Sequence, residues 1–296
     1  MNNILILGAN GFVGRKILEF FSSKIEYNVT GLSVHRDITP GKSYNFIEAD
    51  ICDYVIMEQI FRNVRPNVVI NCSAISVPDY CETHKEEAYR CNTKAVESLA
   101  VMCNSSNSRF IHLSTDFVFN GRTDRLYKED DLPDPVNYYG LTKYLAEQSV
   151  SKICTNYAIV RIIVVYGKPY LGQHGNILSL VQQKLFGGEQ IKVVNNQWRT
   201  PTYVSDVVKG VELLSDFSIN GIYHIGGSEC LTIAEIAYKV ADYLGLNKSL
   251  IQSVSTEDIR EKTPRPRFSG LSIEKARHEL GYKPVTIEEG MSLMFS

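Results

Sequence analysis

The sequence predicts an α/β protein built on a doubly wound parallel sheet, and three observations carry that prediction. Short apolar segments alternate with amphipathic ones through the first 165 residues. The apolar segments lack clean period-two alternation, as expected of strands covered on both faces. A glycine-spaced loop joins the first apolar segment to the first amphipathic one.

Taken in order, Ile4, Leu5, Ile6 and Leu7 form an apolar run ended by Gly8 and read as a buried strand. Phe12, Val13, Ile17, Leu18 and Phe21 then recur at helical spacing. Residues 29–34, 45–47 and 68–70 are further strands, with a helix from the cap Asp53 to Asn63 between the last two. Residues 86–103 place Ala88, Cys91, Ala95, Leu99 and Met102 on one face and read as a single long helix. A strand at 110–113, a helix at 138–153 and a β-branched run at 158–165, broken only by Arg161, complete the first half. Beyond Gly167 the pattern loosens around Gly172, Gly175, Gly187 and Gly188. The organisation expected is a nucleotide-binding domain over 1–165 with a return segment near 203–226. A smaller lobe takes 166–202 and 227–296.

Composition narrows the class. The chain has 296 residues, 44% hydrophobic and 22% charged, which is enough apolar matter for a sizeable core. Lys+Arg is 31 against Asp+Glu 33, a formal charge of -2, so neither nucleic acid nor an anionic membrane is an expected partner. The apolar runs are too short to span a bilayer. Met1, Asn2 and Asn3 lack the cationic start of a signal peptide. Seven cysteines are an odd count, and Cys81 with His84 lacks a second ligand pair, so no metal is expected. A reduced, cytoplasmic setting follows.

The loop Gly8, Ala9, Asn10, Gly11, Phe12, Val13, Gly14 opens the first helix directly after the first strand. Absent side chains let backbone approach a pyrophosphate, and the helix N-terminus offers unpaired N–H groups and partial positive charge. At the end of the second strand an acid would hold a ribose 2′-hydroxyl, as NAD requires. Leu32, Ser33, Val34 and His35 contain none, and Arg36 follows, suited to a 2′-phosphate. NADP is therefore the expected cofactor, with NAD left open. Asp50 and Ile51 close the third strand, where Asp50 either accepts from an adenine amino group or caps a helix.

Tyr139 and Lys143 lie one turn apart on one helix face. An ammonium there favours phenolate, so Lys143 is expected to draw the Tyr139 pKa toward neutrality. A tyrosine so tuned delivers a proton to a carbonyl oxygen as hydride reaches its carbon. Thr115, beside Asp116 at a strand end, supplies a hydroxyl for the same oxygen.

With these residues assembled, the chain resembles the extended short-chain dehydrogenase/reductase superfamily, and within it the dTDP-4-dehydrorhamnose reductase group. The segments that carry the likeness are 8–14, 71–82, 113–121, 138–143, 201–202, 221–224 and 265–272. The resemblance implies a Rossmann-type sheet with a C-terminal substrate lobe, and a nucleotide-sugar ketone reduced from a nicotinamide by a Thr115, Tyr139 and Lys143 triad. It implies that Cys72, Ser73 and Ala74 line the cofactor along with Gly8 to Gly14, His35, Arg36 and Lys143. Ser76 and Asp116 would face the sugar, while Trp198, Arg199, Arg265 and Arg267 would close over the nucleotide and diphosphate. A homodimer is left open. Two departures fall near the sugar: the group often has a tryptophan within 162–167 and a glycine just before Pro201, and this chain has neither. Two other readings share the scaffold. One is an epimerase or dehydratase that retains its cofactor, and the other is a non-catalytic NADP-binding regulatory subunit.

Overall fold

The computed structural model describes residues 2–39, 43–173, 175–215, 219–259 and 261–296. Six strands, β1 (Asn2–Leu7), β2 (Tyr27–Ser33), β3 (Asn45–Glu48), β4 (Val68–Asn71), β5 (Arg109–Thr115) and β6 (Tyr157–Ile162), join the strand Gly221–Ile225 in one sheet. The spatial order is Gly221–Ile225, β6, β5, β4, β1, β2, β3, with every neighbour parallel. The chain runs outward from β1 to β3, then returns to β1's other side through β4. That reversal opens a crevice beyond the carboxyl ends of β1 and β4, where ligands of such sheets bind.

Strand β1 shows why the apolar runs do not alternate. Ile4 and Ile6 pack with Ile17, Leu18, Phe21 and Val211, whereas Leu5 and Leu7 pack with Met57, Val96, Leu99 and Phe110. All four strand residues are fully buried. Burial is worth ~1.5–3 kcal/mol for each such side chain, so both faces of the sheet reward apolar residues.

The helices of this half are α1 (Phe12–Ser22), α2 (Tyr54–Val64), α3 (Pro78–Thr83), α4 (Lys85–Tyr89), α5 (Ala95–Ser105) and α6 (Tyr138–Ile153). Asp53 caps α2 by accepting from the Ile56 N–H at 3.0 Å. The single helix expected over 86–103 is corrected: a π-helical turn, Arg90–Lys94, separates α4 from α5. Its wider turn serves buried polar side chains that an apolar face would not need. Asn92 donates to Thr142 Oγ1 (3.1 Å) and Ile75 O (3.0 Å) while accepting from Ile75 N (2.8 Å), and Thr93 donates to Thr142 O (2.9 Å). The turn thus ties α6 to the loop after β4.

A second apolar cluster gathers the helices Ile177–Phe186, Ile233–Leu244 and Ile287–Phe295 through Leu178, Val181, Ile236, Val240 and Met291. Thr232 and Glu235 form a capping box at the start of the middle helix, and Gly245 ends it at φ 64°. No helix among the described residues is long and apolar enough to cross a membrane.

Arg161 on β6 and Glu147 on α6 form an ion pair at 2.7 Å, with side chains 1% and 3% exposed. Glu147 also accepts from Ser114 Oγ on β5 at 2.5 Å, and the guanidinium lies 5.0 Å from the Phe119 ring centroid. Removing one partner strands a buried charge. Arg161→Met is expected to cost ~3–5 kcal/mol, and Arg161→Met with Glu147→Leu to recover most of it. Urea denaturation of the single and double variants measures both.

Candidate active site

The crevice is lined by Gly8, Gly11, Leu32, Ser33, Val34, Asp50, Ile51, Cys72, Ser73 and Ala74, among others, around ≈ 350 Å³. The expected glycine loop and the ends of β2, β3 and β4 therefore meet. The three glycines differ in what forces them. At Gly8, φ is +76° and a Cβ would stand 2.8 Å from Ser73 N, so this backbone must be bare to pass β4. A Cβ on Gly14 would overlap the Gly8 carbonyl oxygen. Gly11 would bring its Cβ to 3.1 Å from that oxygen, with its remaining space toward the crevice.

Asn10 turns away from the crevice and fastens the loop. It donates to the carbonyls of His35 (3.0 Å) and Arg36 (2.8 Å) and accepts from Arg15 (2.8 Å). Arg15 is fully buried and also binds Asp37 (2.5 Å), Thr39 and Tyr44 (both 2.8 Å). Sequence reading missed Arg15, although its place one residue after the third glycine was visible. Arg36 projects outward with its side chain 94% exposed, 3.8 Å from Glu48. Asp50 accepts from Cys52 N at 2.9 Å, closing the turn after β3; the helix cap is Asp53. From the segment after β6, Gln173 donates to Asn10 O at 2.9 Å.

At the carboxyl end of β5, the Thr115 hydroxyl donates to Asp116 Oδ1 (3.2 Å) and accepts from Phe117 N (3.2 Å), on the side that approaches the Tyr139 phenol. Helix α6 comes this close because Gly140 lacks a Cβ that would collide with Phe117 O, and because Asn137 caps it through Gly140 N at 2.8 Å. Tyr139 packs edge-on against Phe117 at 5.9 Å. Burial pushes its phenol up, with the Thr115 hydrogen bond opposing. This corrects the expectation of a tyrosine drawn toward neutrality by Lys143. The lysine ammonium is turned elsewhere: Lys143 Nζ donates to Leu113 O (2.6 Å) and meets His112 Nε2 at 3.1 Å. Burial brings Lys143 itself down to about 8. His112 was not singled out in the sequence, since a strand residue between apolar neighbours reads as core, and Asn71 entered only as the start of the segment 71–82.

Beyond this point lies a cavity of ≈ 870 Å³ lined by Asn120, Arg122, Trp198, Arg265, Arg267 and Phe268, among others. Trp198 stacks with Phe268 at 6.3 Å, and the Arg267 guanidinium lies 5.5 Å from the indole centroid. Arg265 pairs with Glu261 at 3.1 Å. Arg199 and Asp116 are buried beside it instead. Arg199 donates to Trp198 O (2.8 Å), Pro266 O (2.8 Å) and Gln197 Oε1 (3.1 Å), and Asp116 accepts from Ser269 at 2.5 Å. Ser76 is exposed on the loop after β4. At the departure in 161–167, Val164 has φ 36°, a left-handed conformation that a β-branched residue rarely adopts.

Gly14→Ala is expected to destabilise by ~1–3 kcal/mol or more through overpacking. Gly11→Ala is expected to cost less stability but to weaken NADPH binding by filling the crevice. Thermal denaturation and fluorescence titration of both variants separate the two roles.

The comparisons with known proteins agree with this fold. A crystal structure of dTDP-4-dehydrorhamnose reductase from Bacillus anthracis in complex with NADP is 28% identical, with a TM-score of 0.88 over 100% of this chain and 99% of that one. A probable low-salt glycan biosynthesis reductase of Haloferax volcanii is 28% identical over 98% of this chain and 96% of its own length. The methionine adenosyltransferase 2 subunit beta of Xenopus laevis is 32% identical over 92% of this chain and 80% of its own. Residues 1–296 match the family described as RmlD substrate binding domain, and the chain belongs to that family.

Proposed function

We propose that the chain is an NADP-dependent reductase of a nucleotide-linked 4-keto-6-deoxy sugar. The observation that carries this reading is the placement of Thr115 at the carboxyl end of β5 beside Tyr139 on α6, which Gly140 and the Asn137 cap bring close, with Lys143 on the next turn and the glycine crevice alongside. The crevice fits a dinucleotide: its floor is backbone at Gly8 and Gly11, and the first turn of α1 has no acidic side chain to repel a pyrophosphate. Gly8, Gly11, Phe12, Val13 and Gly14 would hold the pyrophosphate, Asp50 and Ile51 the adenine side, and Cys72, Ser73 and Ala74 the inner wall. Arg36 and His35 would face the 2′-phosphate. When bound, the nicotinamide supplies hydride.

The rest is the work of this chain's side chains. Tyr139, kept as a phenol by burial, gives its proton to the carbonyl oxygen of the sugar. Thr115 hydrogen-bonds that oxygen as its charge develops. Trp198 and Phe268 suit a nucleobase face, and Arg265 and Arg267 suit a diphosphate. The Bacillus anthracis relative, a dTDP-4-dehydrorhamnose reductase with NADP, supports the substrate class and the cofactor.

A second reading, a non-catalytic NADP-binding regulatory subunit, is favoured by the 32% identity to the Xenopus laevis subunit. Assay of nucleotide-4-keto sugars with NADPH, followed by absorbance loss, decides between them. Turnover supports the reductase; NADPH binding without reduction of any panel member overturns it. Tyr139→Phe is expected to lower turnover by ~10²–10⁴-fold while sparing cofactor affinity. Thr115→Val is expected to cost at most ~2.7–4 kcal/mol in the same assay. Isothermal titration is expected to show NADPH preferred over NADH by roughly tenfold or more, with Arg36→Ala erasing the gap.

A further inference from the structure

The strands β4 and β5 lie in a register that pairs Asn71 with His112, and both side chains are buried. Asn71 Oδ1 accepts from Ser73 N at 3.0 Å, Asn71 Nδ2 lies 3.1 Å from His112 Nδ1, and His112 Nε2 lies 3.1 Å from Lys143 Nζ. The direction of every proton in this chain follows from its first member. A backbone N–H can only donate, so the Asn71 carbonyl oxygen faces Ser73 and the NH₂ faces His112. His112 Nδ1 must therefore accept, which leaves the single proton of a neutral imidazole on Nε2. That proton points at Lys143, and only an amine with a free lone pair can receive it. An ammonium there would set N–H against N–H in a buried site.

We propose that Asn71 and His112 form a one-way hydrogen-bond wire that disfavours the ammonium form of Lys143 in the free protein and so makes Lys143 a readier proton donor. The wire favours the state in which Lys143 has given its proton away. A proton that leaves the Lys143 ammonium leaves behind the lone pair that His112 Nε2–H is placed to meet. His112 touches no reacting atom and is a positioning residue.

The other groups facing Lys143 pull the opposite way. Glu147 lies one turn further along α6, Cys72 follows β4 and Cys91 belongs to the π-helical turn; each in anionic form favours the ammonium. Glu147 is already bound to Arg161. Lys143 is the charged neighbour that keeps His112 from protonating, together with burial. Burial of Lys143 lowers its proton affinity in the same direction as the wire.

The test reads protons in the free protein, so its failure is separable from failure of the reductase reading. Long-range ¹H–¹⁵N correlation on histidine-labelled protein, with His112 assigned by its loss in His112→Gln, is expected to show Nδ1 bare and Nε2 protonated. Lysine ¹³Cε titration, assigned through Lys143→Met, is expected to place Lys143 far below the other lysines. Asn71→Asp offers acceptors to both Ser73 and His112, reverses the wire and adds an anion. It is expected to raise the Lys143 midpoint by ~1–3 pH units. His112→Leu, which removes the Nε2–H aimed at Lys143, is expected to raise it as well and covers the case in which the aspartate variant does not fold. A proton on Nδ1 of His112 in the unmodified protein overturns the proposal. So does a Lys143 midpoint unmoved in the folded variants.

Discussion

A carboxylate buried under the sheet organises this molecule. Glu147 stands on the inner face of α6 and is met by Arg161 from β6 and Ser114 from β5. A charge removed from water is tolerated only with its partners in place, so the helix has few rotations available about its own axis. Those partners sit on two adjacent strands, and the same helix carries Tyr139 and Lys143 two turns and one turn earlier. The direction in which the tyrosine points is thus inherited from an ion pair remote from the crevice. The π-helical turn makes the arrangement stiffer, since Asn92 and Thr93 grip α6 at Thr142 from the opposite side.

The layout of the sheet was legible because two-sided burial leaves an unmistakable trace. Ile4 to Leu7 can be apolar throughout only if each face of β1 has its own helical layer. Helix α6 was equally legible in both bounds, with Asn137 before it and Cys154 after it. The π-helical turn was not, because Asn92 and Thr93 occupy positions where a helix face continues undisturbed on either side, and an inserted residue has no compositional mark. The edge strand Gly221–Ile225 lies far in sequence from its neighbour β6, so the return segment expected near 203–226 carried no sign of which strand it would pair with.

At the site, residue types were easier to read than commitments. Thr115, Tyr139 and the glycine loop could be named because their spacing has a chemical reason. What each charged group is bonded to depends on tertiary contacts. Arg199 looks like a diphosphate ligand in sequence, yet backbone carbonyls of Trp198 and Pro266 take its donors. Lys143 looks like a partner for the phenol, yet it faces His112 and Leu113. Arginine and lysine have the longest reach among side chains, and reach is the property a linear motif conveys least.

The fastening of the β2–β3 loop has an evolutionary consequence. Asn10 holds its backbone and the buried Arg15 holds its Asp37 and Thr39 side chains, while Arg36 extends into solvent with a loose approach to Glu48. The platform and the side chain proposed to discriminate between coenzymes are therefore separate inheritances. A lineage can exchange the residue at position 36 without rebuilding the turn beneath it. Selection on the choice between the two nicotinamide coenzymes can then act one substitution at a time, on a surface whose shape is guaranteed from below.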